Sequence, residues 1–436
     1  MNTEFIALVV KDIIGVIYAP HKTFKKIAEN PKYLAILIII ALFVALQIVY
    51  NYDYYSKVNV EQTLPPIGQL SDFTTTNATQ WITTSGTIVT KNSENYINQT
   101  YYGNNSLQLT LLNSNNLSAA IEQFGYTADC SSNGFTELNI NINQISPNIA
   151  PQTGILTLYT TDTTSNYFTI DITSMLTTNP GEWNNITIPV GTLEWQSTGT
   201  PDWSKITGLQ LTLTYAQTSD ITILLQGIFF RGQYMTNLNL FGTGTLMGYL
   251  TFSIVLQVLA QWIILAAVAY IIIKGLKGTN VVWRNLFVTI GFTLIALVIT
   301  AVLFCLISFT LQTVYYPYDL IHGVVDYSPI IDAVSPSSQV AYESITVATN
   351  TYIVLNYIVN LMMFVIQIVY ITFAVKAITG VSLIKNALTF DAETTEQAVN
   401  DGSVSEFSYK KSILVAICTV LVSAVVIFLL QYIGIL

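Results

Sequence analysis

Charge is what this chain has least of. Only 9% of its 436 residues are Asp, Glu, Lys or Arg, against about 25% in soluble domains. An ordinary water-soluble globule is excluded. Positive charge is scarcer than negative, at 16 Lys and Arg against 25 acidic residues and a net charge of −9. No surface is left to neutralise phosphates, so no nucleic-acid partner is expected. Histidine is nearly absent, with His21 and His322 alone, and no nucleophile–base motif accompanies either. Asp162, Asp171, Glu182, Glu194 and Asp202 are scattered without a paired-carboxylate signature, so an enzyme is not expected. Three cysteines, Cys130, Cys305 and Cys418, stand far apart with no ligand spacing, and no metal or other cofactor is expected. Cys305 and Cys418 fall in apolar runs as small hydrophobes. Cys130 is alone in the polar part of the chain, so no disulfide staples that part internally.

What the chain has instead is apolar length. Hydrophobic residues make up 52%, and mean hydropathy is +0.52. Tyr33–Tyr50, Leu246–Ile273, Leu286–Val314, Tyr352–Val375 and Ser412–Leu436 each contain no Asp, Glu, Lys or Arg, and a bilayer needs about 20 helical residues. The first lacks a small-residue cleavage site after it and follows a long structured segment, so it is read as an uncleaved anchor.

Orientation follows from the basic residues. Lys11, Lys22, Lys25, Lys26 and Lys32 precede the first span. Lys274, Lys277 and Arg284 lie between spans two and three, and Lys376, Lys385, Lys410 and Lys411 between spans four and five. The other side holds only Lys57, Lys91, Lys205 and Arg231. The positive-inside rule puts the N-terminus in the cytoplasm of a multi-pass cell-membrane protein. Residues 53–245 and the C-terminus are then extracellular.

Between spans one and two the chemistry changes to Thr, Asn, Ser and Gln. Leu107, Leu109 and Leu111 alternate with mostly polar neighbours, as do Leu138, Ile140 and Ile142 with Asn139, Asn141 and Asn143. Turn signals such as "TNPGEW" and "STGTPDW" separate about eight or nine short strands, which argues a β-sandwich. The expected fold is therefore an α-helical bundle of five transmembrane helices plus an all-β, jelly-roll sandwich. The expected domains are cytoplasmic amphipathic helices over 1–32, a first transmembrane helix over 33–52 and an external sandwich over 60–235. Transmembrane helices two to five follow over 246–436, with cytoplasmic loops 274–285 and 376–411.

Five N-x-S/T triplets, headed by Asn77, Asn98, Asn104, Asn116 and Asn185, all fall in the insert. Glycosylation there is expected if the insert is translocated. Trp183, Trp195, Trp203 and Tyr159 are candidates for a sugar-stacking platform. Trp195, flanked by Glu194 and Gln196, is expected to be the most exposed, although such rings more often fill a core. Few charges on this domain would make its solvation insensitive to pH, which suits an archaeal surface protein in an acidic habitat.

In the spans, Gln257 and Gln261 sit one helical turn apart, as do Asn356 and Asn360, with Gln367 on the face of the latter pair. No ionisable group joins them, so interhelical amide hydrogen bonds are expected before transport. These five residues are the expected polar core of the bundle.

Two resemblances add to this reading. "GNNSLQLTLLNSNN", "GEWNNITIPVG" and "PDWSKITGLQLTL…DITILLQGIFF" resemble the galactose-binding-like jelly rolls of many carbohydrate-binding modules. That resemblance implies a structural calcium site with an Asp near the end of the final strand. Gln226 stands there instead, and a neutral amide is a poorer ligand for a hard cation. "P-x-x-TF-x-x-IAENP" before the first span is similar to the N-terminus of the Yip1 family of five-span membrane proteins. "GLKGTNVVWRNLFVTIGFTLIALVI" and "ITFAVKAITGVSLIKNALTF" are similar to the same family. The matching residues are Pro20, Phe24, Pro31, Gly275, Gly278, Gly291, Lys376, Gly380, Ser382, Lys385 and Ala387. Ser382 is expected to cap a short helix.

The functions expected are, first, a structural or scaffolding membrane protein displaying a glycosylated sandwich. The alternatives are a surface receptor for glycans or polymers and an accessory subunit of a membrane complex. Expected partners are the lipid bilayer, then glycans, cell-envelope proteins or complex subunits.

Overall fold

The computed structural model describes residues 3–76, 78–98, 102–160, 164–176, 181–276, 281–318, 320, 336–389 and 407–433. Asn77, Asp162, Lys277, Gly278 and His322 lie outside them. The chain forms two compact units. One comprises Met1–Val58, Thr236–Val314 and Glu343–Leu436, and the other Asn59–Met235 and Tyr315–Tyr342.

The first unit is helical. It contains α1 (Thr3–Tyr18), α2 (Pro20–Glu29), α3 (Tyr33–Lys57), α4 (Asn237–Phe241) and α5 (Thr243–Gly275). α6 (Trp283–Phe292) and α7 (Ile295–Ser308) follow, then α8 (Pro336–Thr389), which belongs to this unit from Glu343 on, and α9 (Tyr409–Tyr432). Among the described residues, five helices are long and apolar enough to cross a membrane: Tyr33–Lys57, Thr243–Gly275, Trp283–Ser308, Tyr342–Gly380 and Tyr409–Tyr432. The chain is a multi-pass membrane protein. The third span, α6 with α7, is the most enclosed, with 61% of its apolar window buried against 22–39% in the others. It can sit centrally because Gly291 admits close neighbours. A Cβ there would lie 2.6 Å from Ile36 Cδ1 and 2.8 Å from Trp262 Nε1.

α1 and α2 belong to this unit. Val9, Asp12, Ile13 and Val16 make one buried stripe of α1, while Ile6, Val10, Ile14 and Ile17 stay exposed on another. In α2, Phe24, Ile27 and Ala28 are buried and its lysines turn outward. Asp12, although buried, accepts from Lys26 at 2.6 Å and from Lys32 at 2.8 Å. The lysines at this end thus brace α1 as well as carrying the charge asymmetry. α8 differs from expectation at its far end. It runs through Gly380 and Ser382 to Thr389 rather than restarting at a Ser382 cap. The following Leu383, Ile384, Lys385 and Ala387 are adequate helix formers, with no proline among them to stop the turn.

The second unit is the sandwich. Its strands are β1 (Val58–Leu64), β2 (Ile82–Thr83), β3 (Ile88–Asn92), β4 (Ser106–Ile121), β5 (Glu137–Ser146) and β6 (Thr153–Thr160). β7 (Tyr167–Asp171), β8 (Trp183–Pro189), β9 (Gln196–Thr198), β10 (Ile206–Thr236) and β11 (Val314–Tyr316) complete it. β4 and β10 pair antiparallel along most of their length, with breaks in register between Thr214 and Ile221. Before the breaks β10 lies between β4 and β6, and β7 and β9 continue that layer. After them it lies between β4 and β5, with β3 and β8 outside. Two strands therefore serve both layers, which is how a sequence of short alternating runs yields one continuous ladder. Leu209, Leu211, Leu213, Ile221, Ile223 and Leu225 of β10 line the core with Leu107, Leu109, Leu138, Ile140 and Leu158.

β1 and β11 extend the ladder in the order β11–β1–β10. Glu61 of β1 is 2% exposed. It accepts from Arg231 Nε at 2.9 Å, Arg231 Nη2 at 3.2 Å, Gly232 N at 2.8 Å and Tyr318 N at 2.5 Å. Tyr318 packs on Phe229, and the Arg231 guanidinium lies over the Tyr318 ring. One carboxylate thus ties three separated chain segments together.

Candidate functional sites

Cross-strand partners share a face of a sheet, so the register of the β5 layer defines its outer surface. Trp183, Asn185 and Thr187 of β8 oppose Asn143, Asn141 and Asn139 of β5. Gln226 opposes Asn141 on the other side. Alternation predicts that these asparagines meet solvent. They do not: Asn139, Asn141 and Asn143 are 1%, 3% and 0% exposed. The chain itself covers them. Gln226, fully buried, accepts from Ile97 N at 2.6 Å and donates Nε2 toward the carbonyls of Ile97, Tyr102 and Gly103 at 3.2–3.4 Å. Its amide straps the segment before β4 across the sheet. Asn139 Nδ2 donates to Gly227 O, and Asn143 Nδ2 to Gly181 O. Asn143 Oδ1 is buried without a partner among the described residues.

The aromatic candidates are placed as follows. Trp195, expected to be exposed, is 7% exposed. Its Nε1 donates to Pro189 O at 2.8 Å, and its ring meets Trp203 edge-on at 5.6 Å. The polar neighbours Glu194 and Gln196 misled because a turn sets their side chains outward while the indole turns under the layer. Trp203 is half-buried and stacks on Phe168 at 3.8 Å and 9°. Tyr159 is 8% exposed and donates to Gln210 Oε1. Trp183 is half-buried, with Nε1 donating to Asn95 Oδ1 at 3.1 Å. The four rings form no common exposed platform. Asn98, Asn104, Asn116 and Asn185 are exposed.

The domain's carboxylates bear on its behaviour in acid. Hydrogen bonds from the Thr173 hydroxyl and amide hold Asp171 below the usual carboxylate range. The Ser204 hydroxyl and amide do the same for Asp202, with Lys205 adding to it. Groups with depressed folded values contribute stability above the unfolded value, about 3.9, and lose it as pH falls through the folded values. Burial pushes the Cys130 thiol up, with the Asp129 charge adding to it, so it stays protonated and unreactive. We expect tryptophan emission and melting temperature to hold from pH 7 to about 4 and to decline only below. A decline already complete at pH 5 would overturn this.

In the helical unit, Gln257, Gln261 and Gln367 border one cavity of about 430 Å³, together with Gln47, Gln431 and Ser423. Its apolar walls include Phe43, Phe364 and Phe428. The expected pairing of span-two with span-four amides is not made: among the described residues, no hydrogen bond joins two of these glutamines. Gln367 is 4% exposed, and its Nε2 is buried without a partner among the described residues. Asn356 and Asn360 do not border the cavity. Asn360 is exposed and donates Nδ2 to the Asn356 carbonyl of its own helix at 3.0 Å. Helical spacing puts them on the face of Gln367, but the cavity lining does not reach them.

No family model matches this chain, and no curated protein matches it. Solved structures do. A family 11 carbohydrate-binding module from Clostridium thermocellum, in complex with a β-1,3-1,4-mixed-linked tetrasaccharide, is 10% identical. That match covers 35% of this chain and 88% of the module, with a TM-score of 0.24. A β-1,2-glucanase from Parabacteroides distasonis is 18% identical over 35% of this chain and 22% of its own, with a TM-score of 0.26. An exo-β-agarase is 13% identical over 36% and 23%, also at 0.26. The chain thus spans less than a quarter of either enzyme.

The calcium site implied by the jelly-roll resemblance can be tested on Gln226. The carbonyls of Ile97, Tyr102 and Gly103 face its N–H2 group. A cation in that position would meet donor hydrogens, so these residues do not fit calcium.

Proposed function

We propose that the protein is a membrane scaffold of Yip1-like type that holds a glycosylated β-sandwich outside the cell, with its N-terminus in the cytoplasm. The supporting observation is how the sandwich divides its polar and aromatic groups. Asn98, Asn104, Asn116 and Asn185 are at the surface, while Trp195 and Tyr159 are in the interior. A surface built for attached sugars, with most of its aromatic rings withdrawn, suits display more than capture. The basic residues before the first span and between the later ones support the orientation.

A receptor for external glycans is the second reading, and one place favours it. Trp183 is half-buried on the outer face of β8, and its Nε1 donates to Asn95 Oδ1. A partly exposed indole beside an amide side chain can stack on a sugar ring while the amide meets its hydroxyls. Asn185 stands on the same face two residues along the strand, about 7 Å away. A glycan on Asn185 would cover that ground, so the two readings exclude each other there.

One measurement separates them. Glycopeptide mass spectrometry of protein from its native membrane should find sugar on Asn104, Asn116 or Asn185, abolished by the corresponding Asn→Gln substitution. Unmodified asparagines at all of these positions would refute the display reading. A bare Asn185 together with loss of glycan-array binding in Trp183→Ala would establish the receptor.

A further inference from the structure

Within the helical unit the cavity has a graded lining. Gln257 and Gln431 are exposed, Gln47 and Gln261 half-buried, and Gln367 and Ser423 buried. Depth can be read from the lysines at one end of the spans, using a rise of about 1.5 Å per residue. Gln367 lies about 14 Å from the Lys376 level, Ser423 about 18 Å from Lys411, and Gln431 about 30 Å from Lys411. In a hydrocarbon layer of about 30 Å, the floor is therefore near the midplane and the mouth at the opposite boundary.

The chemistry of the lining narrows the occupant. Among the described residues, no Asp, Glu, Lys, Arg or His borders the cavity, so an ion or charged head group would arrive without a counter-charge at membrane depth. Each amide both donates and accepts, as a hydroxyl does. Two of the deepest groups, Gln367 Nε2 and Ser423 Oγ, are buried without partners among the described residues, which disfavours the empty arrangement. The walls beside Phe43, Phe364 and Phe428 are apolar, which fits a molecule carrying hydrocarbon with its polar group. The volume, about 430 Å³, lies in the range of small-molecule sites, about 300–1,000 Å³.

We propose that this cavity binds the uncharged, polyhydroxylated head group of a lipid. Gln367 and Ser423 meet its hydroxyls at the floor, and Gln47, Gln257 and Gln261 line its path from the mouth. The site is built from residues of the helical unit alone and does not depend on what the sandwich displays.

The test uses the full chain in nanodiscs of phosphatidylcholine, with digalactosyl diacylglycerol or phosphatidylglycerol added. The readouts are lipid retained in native mass spectrometry and the melting temperature. We expect the galactolipid to be retained at least tenfold over phosphatidylglycerol and to raise the melting temperature, with free digalactose giving no protection. Gln261→Leu with Gln367→Leu should abolish retention. Gln257→Leu at the exposed mouth, where folding is not at stake, should reduce it several-fold. Equal retention of phosphatidylglycerol would overturn the preference for a neutral group. Equal protection by free digalactose would overturn the lipid source. No retention of any lipid would leave a water-filled cavity and overturn the proposal.

Discussion

Replacing Glu61 with alanine should lower the melting temperature of the β-sandwich by roughly 6–20 °C. The size follows from what the carboxylate holds. It is 2% exposed and accepts four hydrogen bonds, from Arg231, Gly232 and Tyr318. Removing one partner of a buried ion pair costs about 3–5 kcal/mol, chiefly because the other charge is left uncompensated. Arg231 is only 13% exposed, and its remaining acid, Glu137, stands at 3.7 Å and is itself 41% exposed. That exposed partner replaces little of the loss. The amides of Gly232 and Tyr318 lose their acceptor as well. Against a total stability of about 5–15 kcal/mol, this is a large fraction. Thermal unfolding followed by tryptophan emission would show it, since Trp81, Trp183, Trp195 and Trp203 all lie in this unit. Limited proteolysis should at the same time release the segment around Tyr318. Glu61→Gln should fall between the parent and Glu61→Ala, because the amide oxygen still accepts hydrogen bonds but carries no charge to balance Arg231. A shift below 1 °C in Glu61→Ala would show that β1, β10 and β11 hold together without this carboxylate.

That strap also marks where the sequence stopped being legible. Spans were readable because an uncharged helical run of bilayer length has few other homes. The sandwich was readable because Leu107, Leu109 and Leu111, or Leu138, Ile140 and Ile142, declare one buried face by alternation alone. β11 is invisible to the same reasoning. Three residues, Val314–Tyr316, sit at the end of an apolar run, and only pairing with β1 makes them a strand. Likewise Asn139, Asn141 and Asn143 obey the alternation rule, and what overrides it is a distant segment laid across them by Gln226. Trp195 was misplaced for the same reason, since its burial depends on Trp203 and Pro189 rather than its sequence neighbours. In the bundle, helical spacing identified the amide faces of α5 and α8. It did not show that Gln47 of α3 and Gln431 of α9 face the same cavity, nor that Asn360 lies beyond it. Local pattern gives the face of an element; what covers that face is set by chain far away in sequence.

Gln226 offers the sharpest test of that last point. Its N–H2 group faces the carbonyls of Ile97, Tyr102 and Gly103, and its Oε1 takes the Ile97 amide proton at 2.6 Å. Gln226→Glu changes no volume but reverses this chemistry. A carboxylate keeps the Ile97 amide as donor and can give nothing to the three carbonyls. Its charge is then buried among oxygen lone pairs, where an unpaired polar group costs about 1–3 kcal/mol and a charge more. We expect the variant to melt roughly 5–15 °C below the parent in a chelating buffer, on a scale of about 2–4 °C per kcal/mol for a domain of this size. The same substitution assembles a carboxylate with three carbonyl oxygens, a donor set of the kind Ca²⁺ takes. Millimolar calcium should therefore restore much of the loss in Gln226→Glu and leave the parent unmoved. Calcium stabilising the parent equally would mean that the cation binds elsewhere. A variant that melts with the parent in chelator would show that the segment over the sheet is held by something other than this amide.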